Sequence, residues 1–423
     1  MRARPSCGVA GLASAVVAAL ALTGCPASAE DLPWDDAKQF GAVAVRDRPR
    51  TAFEPDGIRI GNYVMLPELG YRTTISNDDL GTGAGRNIRH ELTTAIDMRS
   101  QLPRHLLDVK LEGRAVADQE REDLRYIDGK GRVVGRLDIS HATSLFGEAS
   151  AELHHDESID EERPKGVSKP PGLFVLRGEG GVQHRMGRID LAVGARYTSY
   201  DYQDAVTNDG SILDQDARSF SVLEPFVALG HRLSPGYRVF TEIAGRHVEN
   251  RGDDRIDRDA EGVRAMAGAE LELSPLVRLT LKGGYFYQDY LQAGLIDIAT
   301  GIYEGRLDWY VSPLVTLTFS TRRDVQATSY GEASGRITTS YSAKADYEMW
   351  RNLILSGDVS LRWSEYIGEN RSDQVWIGRI GLDYLASKNW LFTLGYEHQE
   401  LTSSTSDLDR KFDKVTIGAK YRF

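Results

Sequence analysis

The sequence predicts an all-β chain that folds as a transmembrane antiparallel β-barrel of about 18 strands, with short turns at one end and long loops at the other. Three observations predict it. Apolar residues recur at every second position over stretches of about ten residues, enough for a tilted strand to cross the hydrocarbon. Near-identical tight turns recur at almost constant spacing. After the N-terminus no run of 18 apolar residues appears, so no spanning helix competes with the strands. Hydrophobic residues make up 41% of the chain and mean hydropathy is -0.38. Those values suit a barrel, because half of each strand faces water.

The first residues predict an export signal over 1–29. Arg2 and Arg4 precede Val9 to Leu22, an apolar run too short to span, and Ala27-Ser28-Ala29 offers a small-x-small cleavage site before Glu30. Leu22-Thr23-Gly24-Cys25 is a rival reading, a lipobox that would make Cys25 a lipidated N-terminus. Cys7 and Cys25 are the two cysteines of the chain, so cleavage after Ala29 leaves no thiol and no disulfide framework. Stability must then come from a closed hydrogen-bond network. Residues 30–62 read as a polar periplasmic segment that either plugs the barrel or meets a periplasmic partner. The barrel itself is predicted over 63–423.

Turns punctuate that span. Ser234-Pro235-Gly236, Ser274-Pro275-Leu276 and Ser312-Pro313-Leu314 are followed by alternating apolar residues, and Met349-Trp350-Arg351-Asn352 and Ser387-Lys388-Asn389-Trp390 take equivalent places. The steps between Pro235, Pro275, Pro313, Arg351 and Asn389 are 40, 38, 38 and 38 residues, the length of two strands, a turn and a loop. Proline and asparagine suit such turns and not strand interiors. Further turns are expected near Leu102-Pro103-Arg104, Leu145-Phe146-Gly147 and Arg185-Met186-Gly187. Polar connections at Asn77 to Arg86, Asp118 to Arg132, His154 to Pro171, Asp201 to Asp216, Asn250 to Glu261 and Ser403 to Arg410 read as the long loops. Between turns the alternation is regular: Leu353, Leu355, Gly357, Val359, Leu361 and Trp363 interleave with Ile354, Ser356, Asp358, Ser360 and Arg362. Tyr287, Trp309, Trp363, Trp390 and Tyr396 are expected at strand ends, as interfacial girdles require.

The last strand carries the first resemblance. From Val415, residues Ile417, Ala419, Tyr421 and Phe423 alternate with polar ones, and the chain stops on an aromatic. This ending resembles the terminal strand of bacterial outer-membrane barrels, which implies that Tyr421 and Phe423 form the signal read by the barrel-assembly machinery. The other reading is an ordinary amphipathic edge strand. A second resemblance is more specific. Arg48-Pro49-Arg50, then Pro55-Asp56-Gly57-Ile58-Arg59-Ile60-Gly61, then an apolar strand start, is similar to the N-terminal segment of the putative beta-barrel porin 2 family. That likeness implies an outer-membrane location and an association with exopolysaccharide.

If the apolar set meets lipid, the other set lines an interior. It contains Arg188, Arg196, Arg238, Arg246, Arg278, Lys282, Arg306, Arg362 and Arg379, with Asp190, Glu242, Asp308, Asp358, Asp383 and Glu397. Charges of both signs on neighbouring strands can simply pair across the lumen. They can also guide anionic sugars, since arginine forks match carboxylates bidentately; the alginate export channel is a fold-level analogy for this. The expected function is a porin or channel for a polar solute, a polysaccharide or oligosaccharide, with the long loops as an external gate. The alternatives are a structural or adhesive barrel with a plugged lumen, and a surface hydrolase. No Gly-x-Ser-x-Gly elbow, His-Glu-x-x-His, cysteine site or phosphate loop is present, so no enzyme is expected. His154-His155-Asp156-Glu157 with Asp160-Glu161-Glu162, and Asp253, Asp254, Asp257 and Asp259, read as solvated acidic loops rather than metal sites, and no metal or cofactor is expected. The net charge of -11 argues against a nucleic-acid partner. Expected partners are outer-membrane lipid and lipopolysaccharide, the assembly machinery, a polysaccharide and a periplasmic export component.

Overall fold

The computed structural model describes residues 42–77, 86–119, 121, 124–155, 161–162, 167, 170–207, 209–252 and 256–423. The signal-peptide and Cys25 readings, and Asp156, Glu157, Asp160, Asp253 and Asp254, lie outside the described residues. The rest form one ring of eighteen long antiparallel strands. They are β1 (Tyr63–Asn77), β2 (Arg86–Ser100), β3 (Leu106–Asp118), β4 (Arg125–Asp138), β5 (Thr143–His155), β6 (Gly172–Met186), β7 (Ile189–Tyr202), β8 (Phe220–Ser234) and β9 (Tyr237–Asn250). The second half is β10 (Ala260–Ser274), β11 (Val277–Tyr290), β12 (Ile298–Ser312), β13 (Val315–Gln326), β14 (Gly335–Trp350), β15 (Leu353–Ile367), β16 (Ser372–Leu385), β17 (Trp390–Ser403) and β18 (Arg410–Arg422).

Each strand pairs with its sequence neighbours, and β18 returns to β1 from Glu68↔Arg422 to Ser76↔Lys414. Closure leaves no open edge, which lipid would not tolerate because unpaired backbone groups have no water to bond. Among the described residues no helix is long and apolar enough to cross a membrane. A three-residue strand, Ile58–Ile60, folds back on the start of β1. A small hairpin, Ala205–Val206 with Ile212–Leu213, decorates the β7–β8 loop.

The two-residue period sorts side chains between the faces. On β9, Tyr237, Val239 and Ile243 point outward and are exposed, while Arg238, Phe240, Glu242 and Ala244 point inward and are buried. Outward aromatics form a girdle near the short-turn ends, with Trp309, Tyr347, Trp350, Tyr384 and Trp390 all exposed. Tyr287 and Trp363 stand toward the other end. Tyr396 differs from expectation: it lies mid-strand in β17, its hydroxyl donating to Asp413 at 2.7 Å.

The repeated turns have a local cause. Pro275-Leu276 and Pro313-Leu314 are two-residue connections, and in each the preceding serine hydroxyl accepts the backbone N–H of the leucine (Ser274 and Ser312, both 3.2 Å). Ser387 does the same for Asn389 at 3.2 Å. Such serines mimic a backbone turn. Gly236 takes the left-handed φ of +79°, open to glycine at no steric cost.

Two connections differ from the sequence reading. Leu145-Phe146-Gly147 lies inside β5; the turn is at 139–142, where the Ser140 hydroxyl accepts N–H bonds from Ala142 and Thr143. Phe146 belongs to a strand because its ring covers Gly181 on β6. The loop expected from Asp118 to Arg132 is shorter, since β4 begins at Arg125. Gly129 and Gly131 face outward there, between Asp128, Lys130 and Arg132, which pair with Arg114, Glu152 and Glu148. Connections at 291–297, 327–334 and 368–371 complete the long-loop end; the repeat length implied them without placing them.

Candidate functional site: a charged lumen with a tether at each mouth

Inward positions of adjacent strands face one another, so charge pairing follows from register. Arg196 on β7 reaches over β8 to grip both carboxylate oxygens of Glu242 on β9, each at 2.9 Å. Its guanidinium lies 3.9 Å from the Phe226 ring centroid, and Arg264 adds a 3.4 Å bond to the same carboxylate. Arg246 donates to Glu224 at 2.8 Å and to Gln288 at 3.1 Å. Arg238 pairs with Glu270 at 3.3 Å and Lys282 with Glu304 at 3.6 Å. Arg278 lies over the Tyr310 ring at 5.6 Å. Arg306 forks onto Asp308 with two 2.8 Å bonds and leaves more than half its side chain open. Asp358 meets Arg379 at 3.2 Å, and Arg379 also bonds Glu397. Asp190 is fully buried between Arg185 (3.0 Å) and Arg232 (3.2 Å). Arg188 is placed differently from expectation: it sits on the two-residue β6–β7 turn, exposed, donating to the Leu233 carbonyl at 3.2 Å.

The interior is not uniformly polar. Phe226, Phe240, Ala192, Ala228 and Ala244 form one inward apolar patch. Val222, Val248, Phe286, Ile298, Ile302 and Ile337 form another toward the long-loop end. Beside the latter lies about 580 Å³ of open space, lined by Tyr202, Phe220 and Tyr290 together with Arg218, Arg246 and Gln288.

Two chain segments enter the lumen; the first lies within 30–62, which the sequence reading left between a plug and a partner-contacting segment, and the second the reading did not locate. At the short-turn end residues 42–57 run as a strap along the inner rim. The Ala42 N–H donates to Pro275, and the Val45 N–H to the Thr316 hydroxyl at 2.9 Å. Arg46, buried, donates to Asp346 at 2.7 Å and Asp383 at 2.8 Å and also bonds Ser356. Arg50 and Arg48 share Glu348 at 2.8 and 3.3 Å. The strap ends at the seam, where Gly57 donates to the Phe423 carbonyl at 3.3 Å. A usable signal was present: three arginines in Arg46-Asp47-Arg48-Pro49-Arg50 answer acidic inward positions on β14 and β16.

At the long-loop end Glu161 and Glu162, from the β5–β6 loop, cross to the opposite wall. Glu161 is buried against Arg336, Arg362 (3.1 Å) and the Ser364 hydroxyl (3.0 Å), and its carbonyl accepts from Arg371. Glu162 accepts from Thr328 at 2.6 Å and Ser329 at 3.1 Å. These carboxylates were read as solvated. His155 is engaged as well, bonded to Asp128 at 2.8 Å and stacked on Tyr126. Among the described residues one set of carboxylates converges within 4.8 Å, the exposed Asp204, Asp214 and Asp216 of the β7–β8 loop. The Asp214 charge holds the Asp216 carboxyl above its ordinary range.

Tyr421 and Phe423 stand at the closing seam. Tyr421 packs edge-on against Trp390 (5.2 Å) and Phe423 (4.8 Å), and the Phe423 N–H donates to Pro67 at 3.1 Å.

No curated protein sequence matches the chain. Among solved structures it is similar to Pseudomonas aeruginosa OccK2 (OpdF), at 11% identity and a TM-score of 0.47, covering 86% of this chain and 98% of that one. A BenF-like porin from Pseudomonas fluorescens Pf-5 is similar at 10% identity and 0.46, covering 86% and 99%. Acinetobacter baumannii OccAB4 is similar at 10% and 0.44, covering 89% and 100%. These likenesses are to the barrel. The family described as Putative beta-barrel porin 2 matches residues 50–423. With its closed ring, outward apolar face and charged lumen, the chain belongs to the putative beta-barrel porin 2 family and is a porin of the outer membrane.

Proposed function

We propose that this porin passes a polysaccharide or oligosaccharide through its charged lumen. The observation that carries the reading is the inward surface near the long-loop end, where Tyr202, Phe220 and Tyr290 adjoin Arg218, Arg246 and Gln288 around an open volume of about 580 Å³. Aromatic faces suit the apolar faces of sugar rings, and guanidinium and amide groups suit hydroxyls and carboxylates. Paired charges along the wall give many weak contacts rather than one deep trap, as conduction requires. The long-loop end is then extracellular and the strap periplasmic. In that setting the strap is the surface on which a periplasmic export partner would act, lipopolysaccharide surrounds the outer girdle, and Tyr421 and Phe423 are read by the assembly machinery.

The second reading, a structural barrel with a filled lumen, is favoured by the segments that occupy both mouths. Planar-bilayer recording separates the two. The channel reading expects the full chain to conduct, and a variant lacking residues 30–50 to conduct more. If neither the chain nor the variant ever conducts after insertion, the barrel is structural.

A further inference from the structure

Mostly apolar and aromatic side chains cover the outward face of β11 to β17. Among the described residues Arg323 of β13 is the one arginine or lysine at an outward position of those strands. Its neighbours Arg322 and Asp324 face the lumen and pair with each other at 2.6 Å. Arg323 itself is half-buried, and one N–H of its guanidinium donates to the Thr339 hydroxyl at 3.0 Å. No carboxylate among the described residues meets it. The outward carboxylates of this arc, Asp289, Glu365 and Glu400, stand farther from the short-turn end than Arg323 does.

Register sets hydroxyls and rings around it. Tyr303 of β12 and Thr339 of β14 stand directly opposite Arg323, and Trp363 of β15 stands opposite Thr339. The Tyr303 hydroxyl reaches over β13 to that of Tyr341, 3.5 Å away. A bond between two hydroxyls uses one proton and leaves the other to donate. Tyr341 and Trp363 are about half exposed, at 49% and 47%, so the group opens onto the outer surface. Height decides what it meets there. Arg323 lies eight residues beyond Val315, the first residue of β13, which is about 26 Å along the strand and about 20 Å along the barrel axis at the usual tilt. Trp309 and Tyr347 mark the girdle near the short-turn end. Arg323 therefore stands at the far edge of an apolar band about 25 Å tall, where a guanidinium is tolerated as it is not at the midplane.

We propose that Arg323, Tyr303 and Tyr341 form a docking site for the phosphorylated glucosamine headgroup of an outer-leaflet lipopolysaccharide. The guanidinium fork matches phosphate oxygens, and the spare tyrosyl O–H donates to the same group. Trp363 sits beside them with its apolar ring toward the acyl chains and its N–H toward the headgroups, as interfacial tryptophans do. The inference rests on the extracellular placement of the long-loop end, which puts this edge in the outer leaflet.

Native mass spectrometry of the folded full chain, released from detergent micelles after addition of lipid A, tests it. Lipid A with its phosphates is expected to stay bound, the same lipid stripped of phosphate is not, and inorganic phosphate should not displace it. Arg323→Gln should lower retention about fivefold, with the heat-dependent gel shift of a folded barrel kept. Tyr303→Phe with Tyr341→Phe removes both hydroxyls and leaves the charge, and should lower retention about threefold. Should Arg323→Gln fail to fold, the tyrosine pair decides alone. Equal retention of the stripped lipid, displacement by inorganic phosphate, or unchanged retention in either folded variant overturns the proposal. Cleavage of the long loops by protease added to intact cells checks the orientation separately, so a failed lipid test with external loops counts against the site alone.

Discussion

Phe240 projects inward from β9 and lies over Gly268 of β10, so close that a Cβ there would stand 2.5 Å from the Phe240 ring and 2.5 Å from the Leu281 carbonyl. Phe226 covers Gly194 in the same way. A ring over a neighbouring glycine fills the inner wall without widening it. Gly268→Ala should therefore overpack the wall and cost about 1–3 kcal/mol, read as a lower temperature for the loss of the folded gel band. A silent substitution would mean that the ring moves aside freely. Arg46 is the second decisive residue. Its removal leaves Asp346 and Asp383 facing each other without their shared cation. Arg46→Ala should cost about 3 kcal/mol where burial is retained and raise bilayer conductance as the strap loosens. Adding Asp346→Asn and Asp383→Asn should recover most of the stability and none of the closure. If Arg46→Ala leaves both readouts unchanged, the strap is not held by this contact.

At the scale of the element, the hairpin is the unit that the sequence could reveal. A period of two and a serine that accepts from a backbone N–H two residues on are local properties, so β8 to β17 and their turns were legible. Failures came where one local pattern serves two ends. Phe146-Gly147 reads as a turn, yet Phe146 is the strand residue that covers Gly181. Gly129-Lys130-Gly131 reads as a loop, yet its glycines face lipid while Lys130 meets Glu152. The site was less legible still. Strand parity showed which charges face inward, but not that Arg188 falls on a turn. Arg46 and Asp346 are 300 residues apart, and Glu161 and Arg362 are 201 apart. No spacing rule links such pairs; only the closed ring brings them together. The terminal strand is the element that makes the ring. It pairs with β17 on one side and β1 on the other, and Phe423 ties both to the strap. Deleting Phe423 should lower the amount of heat-modifiable barrel in outer-membrane fractions several-fold. Normal yield would remove Phe423 from any role in assembly.

For the whole molecule, the shared hydrogen-bond ladder replaces the compact core of a soluble domain. Apolar area faces outward, where lipid accepts it, and ionised groups face inward in pairs. With no cysteine after residue 25, the ring is held by closure alone. Among the described residues both intruding segments bond to the arc β13 to β16, and the strap reaches on to the β10–β11 turn and the closing seam. The contacts seen at the two mouths are therefore lopsided, gathered on the second half of the ring.

That lopsidedness has a sign. Residues 42–57 balance Arg46, Arg48 and Arg50 against Asp47, Glu54 and Asp56, so a field puts no net force on the strap, whereas residues 156–171 set five carboxylates against Arg163, Lys165 and Lys169. A field positive at the long-loop end draws that intruder out of the bore, and the opposite polarity drives it in. Up to about 2.3 kcal/mol per elementary charge per 100 mV is available for this. Current should thus rectify, larger with the long-loop face positive, and the asymmetry should vanish when Glu161 and Glu162 are both neutralised. A symmetric current–voltage curve from barrels inserted in one orientation would show that the loop does not respond to the field.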